Sequence, residues 1–333
     1  MPYFSIIIPV YNRPEEMKEL LASLASQSNK DFELIVVEDG STQKCDYLVD
    51  SYRDRMEITY LFKQNTGQSD SRNIGMSKAN GSYFLFFDSD CIIPPDYLQI
   101  VRDHLQKDYT DCFGGPDAAH ESFSDVQKAI NHSMTSFFTT GGIRGGKNQL
   151  EKFCPRSFNM GFSRKVYEVT KGFRDTLGED IDLSTRIRNA GFRTILIREA
   201  FVYHKRRVDM KKFFKQVHIF GQARISLYKQ HPESLKAVHF APALFTLFVA
   251  GMLIIAIWQP WVLLLLAAYL LILFADSSAK NKSLKIGFLS IFTGLIQLIG
   301  YGSGFLKAFW QKVVLGKQLE SRNKIKNMYN KEN

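Results

Sequence analysis

The sequence predicts an open α/β sheet domain followed by C-terminal transmembrane helices. Three observations predict it. Short apolar, β-branched runs alternate with helical patterns in the N-terminal third, Phe240 to Ala275 is 36 residues without a charge, and acidic and basic residues divide unevenly along the chain.

Residues 4–10 (Phe-Ser-Ile-Ile-Ile-Pro-Val) and 32–37 (Phe-Glu-Leu-Ile-Val-Val) suit strands buried on both faces of a parallel sheet. Between them, Met17, Leu20, Leu21 and Leu24 fall at helical spacing over 14–25, with Pro14 and Glu15-Glu16 in the first turn. This is a βαβ unit. Residues 58–62 give a third strand, 69–79 a helix and 83–87 (Tyr-Phe-Leu-Phe-Phe) a fourth strand. Beyond residue 110 the pattern loosens and glycine pairs recur (Gly114-Gly115, Gly141-Gly142, Gly145-Gly146), as in loops that line a site on a rigid scaffold. A helix over 180–190, ended by Gly191, and a strand over 193–197 resume the order.

The chain has 333 residues, which suggests about two structural units. It carries 43 Lys plus Arg and 33 Asp plus Glu, a net charge of +10. Residues 1–200 hold 24 basic and 28 acidic residues, leaving 19 and 5 for the rest, so the excess positive charge sits entirely in the C-terminal part. A nucleic-acid binder with a uniformly basic surface does not divide this way. A near-neutral body followed by a basic, apolar tail fits a domain held on an anionic membrane face. Cys45, Cys91, Cys112 and Cys154 form no C-x-x-C pair and read as reduced thiols. Met1–Ser5 places no basic stretch ahead of its apolar run, so no secretory signal is expected there, and the body is expected in the cytoplasm at the inner membrane.

As one helix, residues 240–275 would run about 54 Å against a hydrocarbon core of about 30 Å. Two spans turning at Pro260, between Trp258 and Trp261, fit better. The hairpin returns Lys280, Lys282 and Lys285 to the cytoplasmic side. A third uncharged run, 286–306, is long enough to cross, and its five glycines (287, 294, 300, 302, 304) allow close helix packing or a bent, re-entrant path. A full third crossing would carry a tail of seven basic residues, Lys307 to Lys331, to the outside; both topologies stay open. The expected organisation is therefore a sheet-based body over 1–230 (a first half over 1–110 and a second half with an interfacial segment over 111–230), two or three hydrophobic helices over 238–306, and a basic tail over 307–333.

Acidic residues recur where strands should end: Glu38-Asp39-Gly40 after the second and Asp88-Ser89-Asp90 after the fourth. Carboxylates at the carboxyl ends of such strands lie at the ligand crevice of an open sheet. Two aspartates one residue apart can reach a hard cation, Mg2+ or Mn2+, although D-x-D alone also fits a solvated turn. The stretch Asn65-Thr66-Gly67-Gln68-Ser69-Asp70-Ser71-Arg72-Asn73-Ile74-Gly75 opens a helix whose first amides suit an anion, with Arg72 adding a fixed positive fork. Glu179-Asp180 begins another helix, where a carboxylate serves either as a dipole partner or as a general base. His204 closes Phe201-Val202-Tyr203 at a strand end, where a neutral imidazole can join a metal.

These motifs, in this order and together with Ser5-Ile6-Ile7-Ile8-Pro9-Val10-Tyr11-Asn12, resemble the family-2 glycosyltransferases of GT-A type, Rossmann-like fold over roughly residues 3–230. The resemblance implies transfer of a hexosyl or N-acetylhexosaminyl group from a nucleoside-diphosphate sugar with inversion at the anomeric carbon. It implies that Pro9, Tyr11, Asn12 and Asp39, with Asn65, Gly67, Arg72, Asn73, Asp88 and Ser89, hold the nucleotide sugar. It further implies that Asp88, Asp90 and His204 hold the metal, and that Asp180, beside Glu179, is the base. Phe158, Asn159 and Met160 are the expected acceptor contacts.

Processive members of that family carry Q-x-x-R-W ahead of their membrane helices. Here Gly221-Gln222-Ala223-Arg224-Ile225 has another spacing and no tryptophan, which implies addition of a single sugar. Residues 205–215, with Lys205, Arg206, Arg207, Lys211 and Lys212 beside Phe213 and Phe214, suit an interface of anionic headgroups. The expected acceptor is therefore lipid-linked or an envelope glycan. A polyprenyl-phosphate sugar synthase and a non-catalytic nucleotide-sugar-binding subunit are the alternatives.

Overall fold

The computed structural model describes residues 1–118, 120–141, 153–205 and 209–318. Gly142, Gly145, Gly146, Arg206, Arg207 and the tail from 319 onward lie outside the described residues. The chain forms two compact units, one from Met1–Ala118 with Phe153–His204 and one from Ala119–Lys152 with Lys205–Glu320.

In chain order the elements begin β1 (Phe4–Val10), α1 (Pro14–Ala25), β2 (Phe32–Asp39), α2 (Asp46–Asp50), β3 (Ile58–Lys63), α3 (Gln68–Lys78), β4 (Tyr83–Phe87), β5 (Cys91–Ile92), α4 (Tyr97–Lys107), β6 (Cys112–Gly114) and β7 (Asp117–Ala118). Then come α5 (Asp125–Thr135) and α6 (Phe137–Thr140), which belong to the second unit, followed by β8 (Asn159–Ser163), α7 (Arg164–Thr170), α8 (Glu179–Asn189), β9 (Thr194–Leu196) and β10 (Val202–His204). The second unit is completed by α9 (Met210–Gln230), α10 (Ala241–Ile255), α11 (Leu263–Asn281) and α12 (Leu284–Phe309).

The first unit is built on a seven-stranded sheet in the order β3-β2-β1-β4-β8-β6-β9. β3, β2, β1 and β4 are parallel, β8 runs antiparallel to β4 and β6, and β9 returns parallel to β6. The expected βαβ start is found residue for residue, because both faces of β1 are apolar. Ile6 and Ile8 face Leu20, Leu21 and Leu24, while Ile7 faces Met76 and Phe86 on the other side. A second sheet, β5-β10-β7, is short: β10 pairs antiparallel with β5, placing His204 opposite Cys91, and parallel with β7, placing Val202 opposite Asp117. That pairing builds the site described below.

In the second unit three helical segments are long and apolar enough to cross a membrane: Ala237–Ile255, Pro260–Asn281 and Leu284–Val314. The chain turns at Pro260 as expected, and the third segment is one continuous helix rather than a bent path. Its glycines are contact points. A Cβ at Gly304 would lie 2.0 Å from the His218 carbonyl oxygen of α9, and one at Gly221 of α9 would lie 2.1 Å from that of Tyr301. The two backbones touch because both positions lack a side chain. Phe213, expected at the lipid interface, is instead buried beside Ile130 and Met134 of α5, while Phe214 stays partly exposed.

Candidate active site

The parallel register brings the ends of three strands together, with Pro9 opposite Val37 and Asp39 opposite Lys63. Asp39, 5% exposed, accepts hydrogen bonds from the Thr66 and Gly67 amides at 2.9 Å each and pairs with Lys63. The first amides of the 65–67 loop, expected to cradle an anion, are thus taken by a carboxylate of the chain itself. Asn65 is exposed and its backbone lies against Gly40, where a Cβ would sit 2.7 Å from the Asn65 nitrogen; only glycine fits there, at φ +73°. Asn12, in the left-handed region at φ 51°, fixes the opposite loop, its Oδ1 accepting from the Thr42 and Gln43 amides at 2.8 and 3.0 Å. Tyr11 stands half exposed beside it. Behind this edge, the buried Glu38 accepts from the Cys45 amide and the Tyr60 hydroxyl, and burial together with this carboxylate pushes the Cys45 thiol well above its ordinary range.

Arg72 is fully buried. Its guanidinium reaches Asp88 at 2.6 Å and Glu179 at 3.4 Å and lies over the Phe173 ring, 5.2 Å from its centroid. Gln68 adds a 2.5 Å hydrogen bond to Glu179. Asn73 exchanges two hydrogen bonds with the Phe173 backbone, at 2.8 and 2.9 Å. The face of α3 expected to meet the donor thus locks the end of β4 to the start of α8 through a buried cation between two carboxylates.

Asp90 meets a different set. Its Oδ1 is 3.2 Å from His204 Nε2, and its Oδ2 is 2.5 Å from Arg13 Nη1. Burial opposes the Arg13 charge, but Asp90, Glu16 and Asp88 outweigh it and raise the Arg13 pKa above its ordinary value. The Phe158 ring stacks on His204 at 4.6 Å, and the buried Asp117 carboxylate lies 3.9 Å from His204 Nδ1. Ligand atoms of Asp90, Cys91 and His204 lie within 4.8 Å of one another. Among the described residues this is the group able to hold a cation, and Asp88, expected in it, is engaged by Arg72 instead. A carboxylate and an imidazole suit Mn2+; the thiol, which donates to the Phe158 carbonyl oxygen at 3.6 Å, suits neither Mg2+ nor Mn2+. Ser89 is buried between the two aspartates.

Asp180 follows the left-handed Gly178 in the first turn of α8. It is less buried than Glu179 and lies 3.7 Å from Arg156. Phe158 is thus a wall of the Asp90–His204 site, whereas Asn159 and Met160 are fully buried in β8. Asn159 accepts from Tyr97 Oη at 2.6 Å and donates to the Ala200 carbonyl oxygen at 2.8 Å. As successive residues of β8 they point to opposite faces of the sheet, and both faces are covered there. Arg13, Lys63 and Asp117 complete the site without having been expected. Arg13 and Lys63 follow a named motif residue and a strand by one step, while Asp117 has no local signal because β10 pairing alone brings it in.

A mixed sheet with acidic residues at the carboxyl ends of its parallel strands, extended by an antiparallel strand, defines a GT-A type domain. Residues 5–170 match the family model Glycosyl transferase family 2, and the chain belongs to this family. An uncharacterized glycosyltransferase of Haemophilus influenzae is 40% identical over 112 residues, 32% of this chain and 45% of that protein. One of Rickettsia felis is 30% identical over 135 residues, 40% of this chain and 22% of its own, and a validoxylamine A glucosyltransferase of Streptomyces hygroscopicus is 36% identical over 105, 30% and 25%. The match thus covers less than half the length of each relative. Among solved structures, the mannosyltransferase PcManGT of Pyrobaculum calidifontis, in complex with GDP-Man and Mn2+, shares the fold at a TM-score of 0.59 and 18% identity, over 93% of this chain and 88% of that one. S. aureus TarS 1–349 shares it at 0.51 and 18%, over 96% and 93%.

Proposed function

We propose that this glycosyltransferase moves a single sugar, with inversion, from a nucleoside diphosphate to a membrane-associated or lipid-linked acceptor of the cell envelope. The observation that carries the reading is the joining of Asp90 to His204 and of Asp88 to Glu179 through Arg72, which gathers the acidic motifs at one end of the parallel strands. Pro9, Tyr11, Asn12 and Asp39 line the place of the nucleoside. Asp90 and His204 would hold Mg2+ or Mn2+, which supplies positive charge against that growing on the leaving diphosphate. The Mn2+ and GDP-Man of the fold neighbour support this donor class. Asp180 takes the proton of the acceptor hydroxyl as its oxygen bonds to the anomeric carbon, and the bond to the diphosphate breaks with the electron pair leaving on phosphate oxygen. Three helices long and apolar enough to span support membrane anchoring, and with Lys280, Lys282 and Lys285 beyond the turn at Pro260 the reading is a bacterial inner-membrane protein with the sheet domain in the cytoplasm. The basic segment expected at the interface, around Lys205, Lys211 and Lys212, then meets anionic lipid headgroups.

The test is release of nucleoside diphosphate from UDP-, GDP- and dTDP-sugars by the detergent-purified protein, with Mn2+ or EDTA and with lipid extract as acceptor. Metal-dependent release from one donor, lost in Asp90→Ala and His204→Ala, is expected. Release unchanged by EDTA and by both variants would remove the metal role. No release from any donor would leave a nucleotide-sugar-binding subunit, and consumption of polyprenyl phosphate alone would select the polyprenyl-phosphate sugar synthase.

A further inference from the structure

We propose that the α5–α6 hairpin, residues 125–140, packs along α11 and α12 inside the bilayer and presents Phe137 and Phe138 to its acyl-chain region. This rests on reading α10–α12 as membrane spans. The contacts form a ladder. At the charged mouth, Asp125 at the start of α5 pairs with Lys285 at 2.7 Å. Farther along, His132 Nε2 and Ser136 Oγ both meet Asp276 Oδ2, at 3.1 and 2.9 Å, and Asp276 is also held by Lys280 at 2.8 Å. Ser133 shares a 2.5 Å hydrogen bond with Thr293, whose hydroxyl also reaches the Ala129 carbonyl at 3.1 Å. Deepest, Tyr269 Oη donates to the Phe138 carbonyl oxygen at 3.0 Å, and Thr139 packs where Gly294 has no side chain. Tyr269 lies about 13 Å along the helix from Pro260 and about 18 Å from Asn281, near the middle of its span.

Irregular backbone at such depth persists only where its polar groups are met internally. The hairpin meets that condition with its own hydroxyls. Thr135 donates to the Asn131 carbonyl at 2.8 Å, Thr139 to that of Ser133 at 2.5 Å, and Thr140 to that of Ser136 at 3.1 Å. What points outward from the turn is aromatic: Phe137 and Phe138 are 49% and 45% exposed. They continue the exposed apolar surface of α11, where Leu264, Leu265 and Leu271 are at least 60% exposed. Water would leave these rings costly to expose, and a polar partner would find no free donor among the hairpin hydroxyls named here.

The test attaches an environment-sensitive fluorophore to Phe137→Cys in the full chain, reconstituted in phosphatidylethanolamine–phosphatidylglycerol vesicles. Phe138→Cys is the second variant should the first not fold. Leu264→Cys reports the span, Tyr47→Cys on α2 reports water, and the parent protein, whose four cysteines are buried, reports background. The labels at 137 and 264 are expected to lose most of their emission to lipids carrying a nitroxide on the acyl chain and little to aqueous iodide, with the reverse at 47. Quenching of 264 by the lipid nitroxide but of 137 by iodide would overturn the hairpin and leave the spans intact. Protection of 137 from both quenchers would overturn it in favour of a protein cover such as a second copy. Failure of the lipid nitroxide at 264 would remove the membrane reading and the hairpin with it.

Discussion

Arg72 shows how far a residue's meaning depends on its tertiary partners. Its motif marks it as a positive fork, but Asp88 and Glu179, distant in sequence, engage it. Arg72→Met leaves two carboxylates facing each other without their cation, and a loss of about 3–5 kcal/mol is expected in detergent unfolding curves. A change under about 1 kcal/mol would mean that the clamp is dispensable. Asp180→Asn keeps shape and removes the base; turnover is expected to fall roughly 10²–10⁴-fold while nucleotide affinity, by calorimetry, holds. An unchanged turnover would fit an acceptor already ionised as a phosphate. Burial and Glu38 hold the Cys45 thiol protonated well above neutral pH. With the other three cysteines buried as well, maleimide is expected to label the native chain slowly and the unfolded chain fully. The acidic motifs at the ends of β2 and β4 were legible because a strand end is a local event. That His204 meets Asp90 was legible only through the family resemblance, since physically it follows from the β5–β10 pairing.

Among the elements, β1 and β4 fall where their apolar runs place them because both faces are buried, and α1 because Met17, Leu20, Leu21 and Leu24 line the one face it buries. Strand β8 escapes such a reading: Asn159-Met160-Gly161-Phe162-Ser163 mixes an amide, a glycine and a serine among two apolar residues, yet it is wholly buried. Its amide belongs there because Tyr97 and Ala200 satisfy it. Phe86→Ala on β4 removes a ring packed between Phe162 and Phe173 and is expected to cost about 3–5 kcal/mol. Gly304→Leu pushes a side chain into the α9 backbone. Melting in detergent is expected to drop by several degrees, more than for Leu264→Ala on the exposed face of α11; equal effects would show that α9 and α12 do not pack tightly.

For the whole molecule, uncharged length announced the three helices long and apolar enough to span, while the grouping of residues 120–141 with helices beyond residue 205 left no mark in periodicity. It rests on ion pairs, a small apolar cluster and serine, threonine and glycine contacts scattered through the sequence. The protein is expected to stay in the membrane fraction after alkaline carbonate and 1 M salt washes. Release by salt alone would mean adhesion through the basic C-terminal part, since the screening length is then about 3 Å.

The two-segment make-up of the second unit also fixes an order of assembly during synthesis. β1 to β4 leave the ribosome as neighbours and can pair at once. The α5–α6 hairpin emerges next, but Tyr269, Asp276 and Thr293, which hold it, follow only about 130–160 residues later, roughly 7–32 s at 5–20 residues per second. For that interval His132 lacks Asp276 and Ser133 lacks Thr293. The hairpin is therefore made early and docked last, and a nascent chain stalled before α11 would be a natural target for chaperones and proteases.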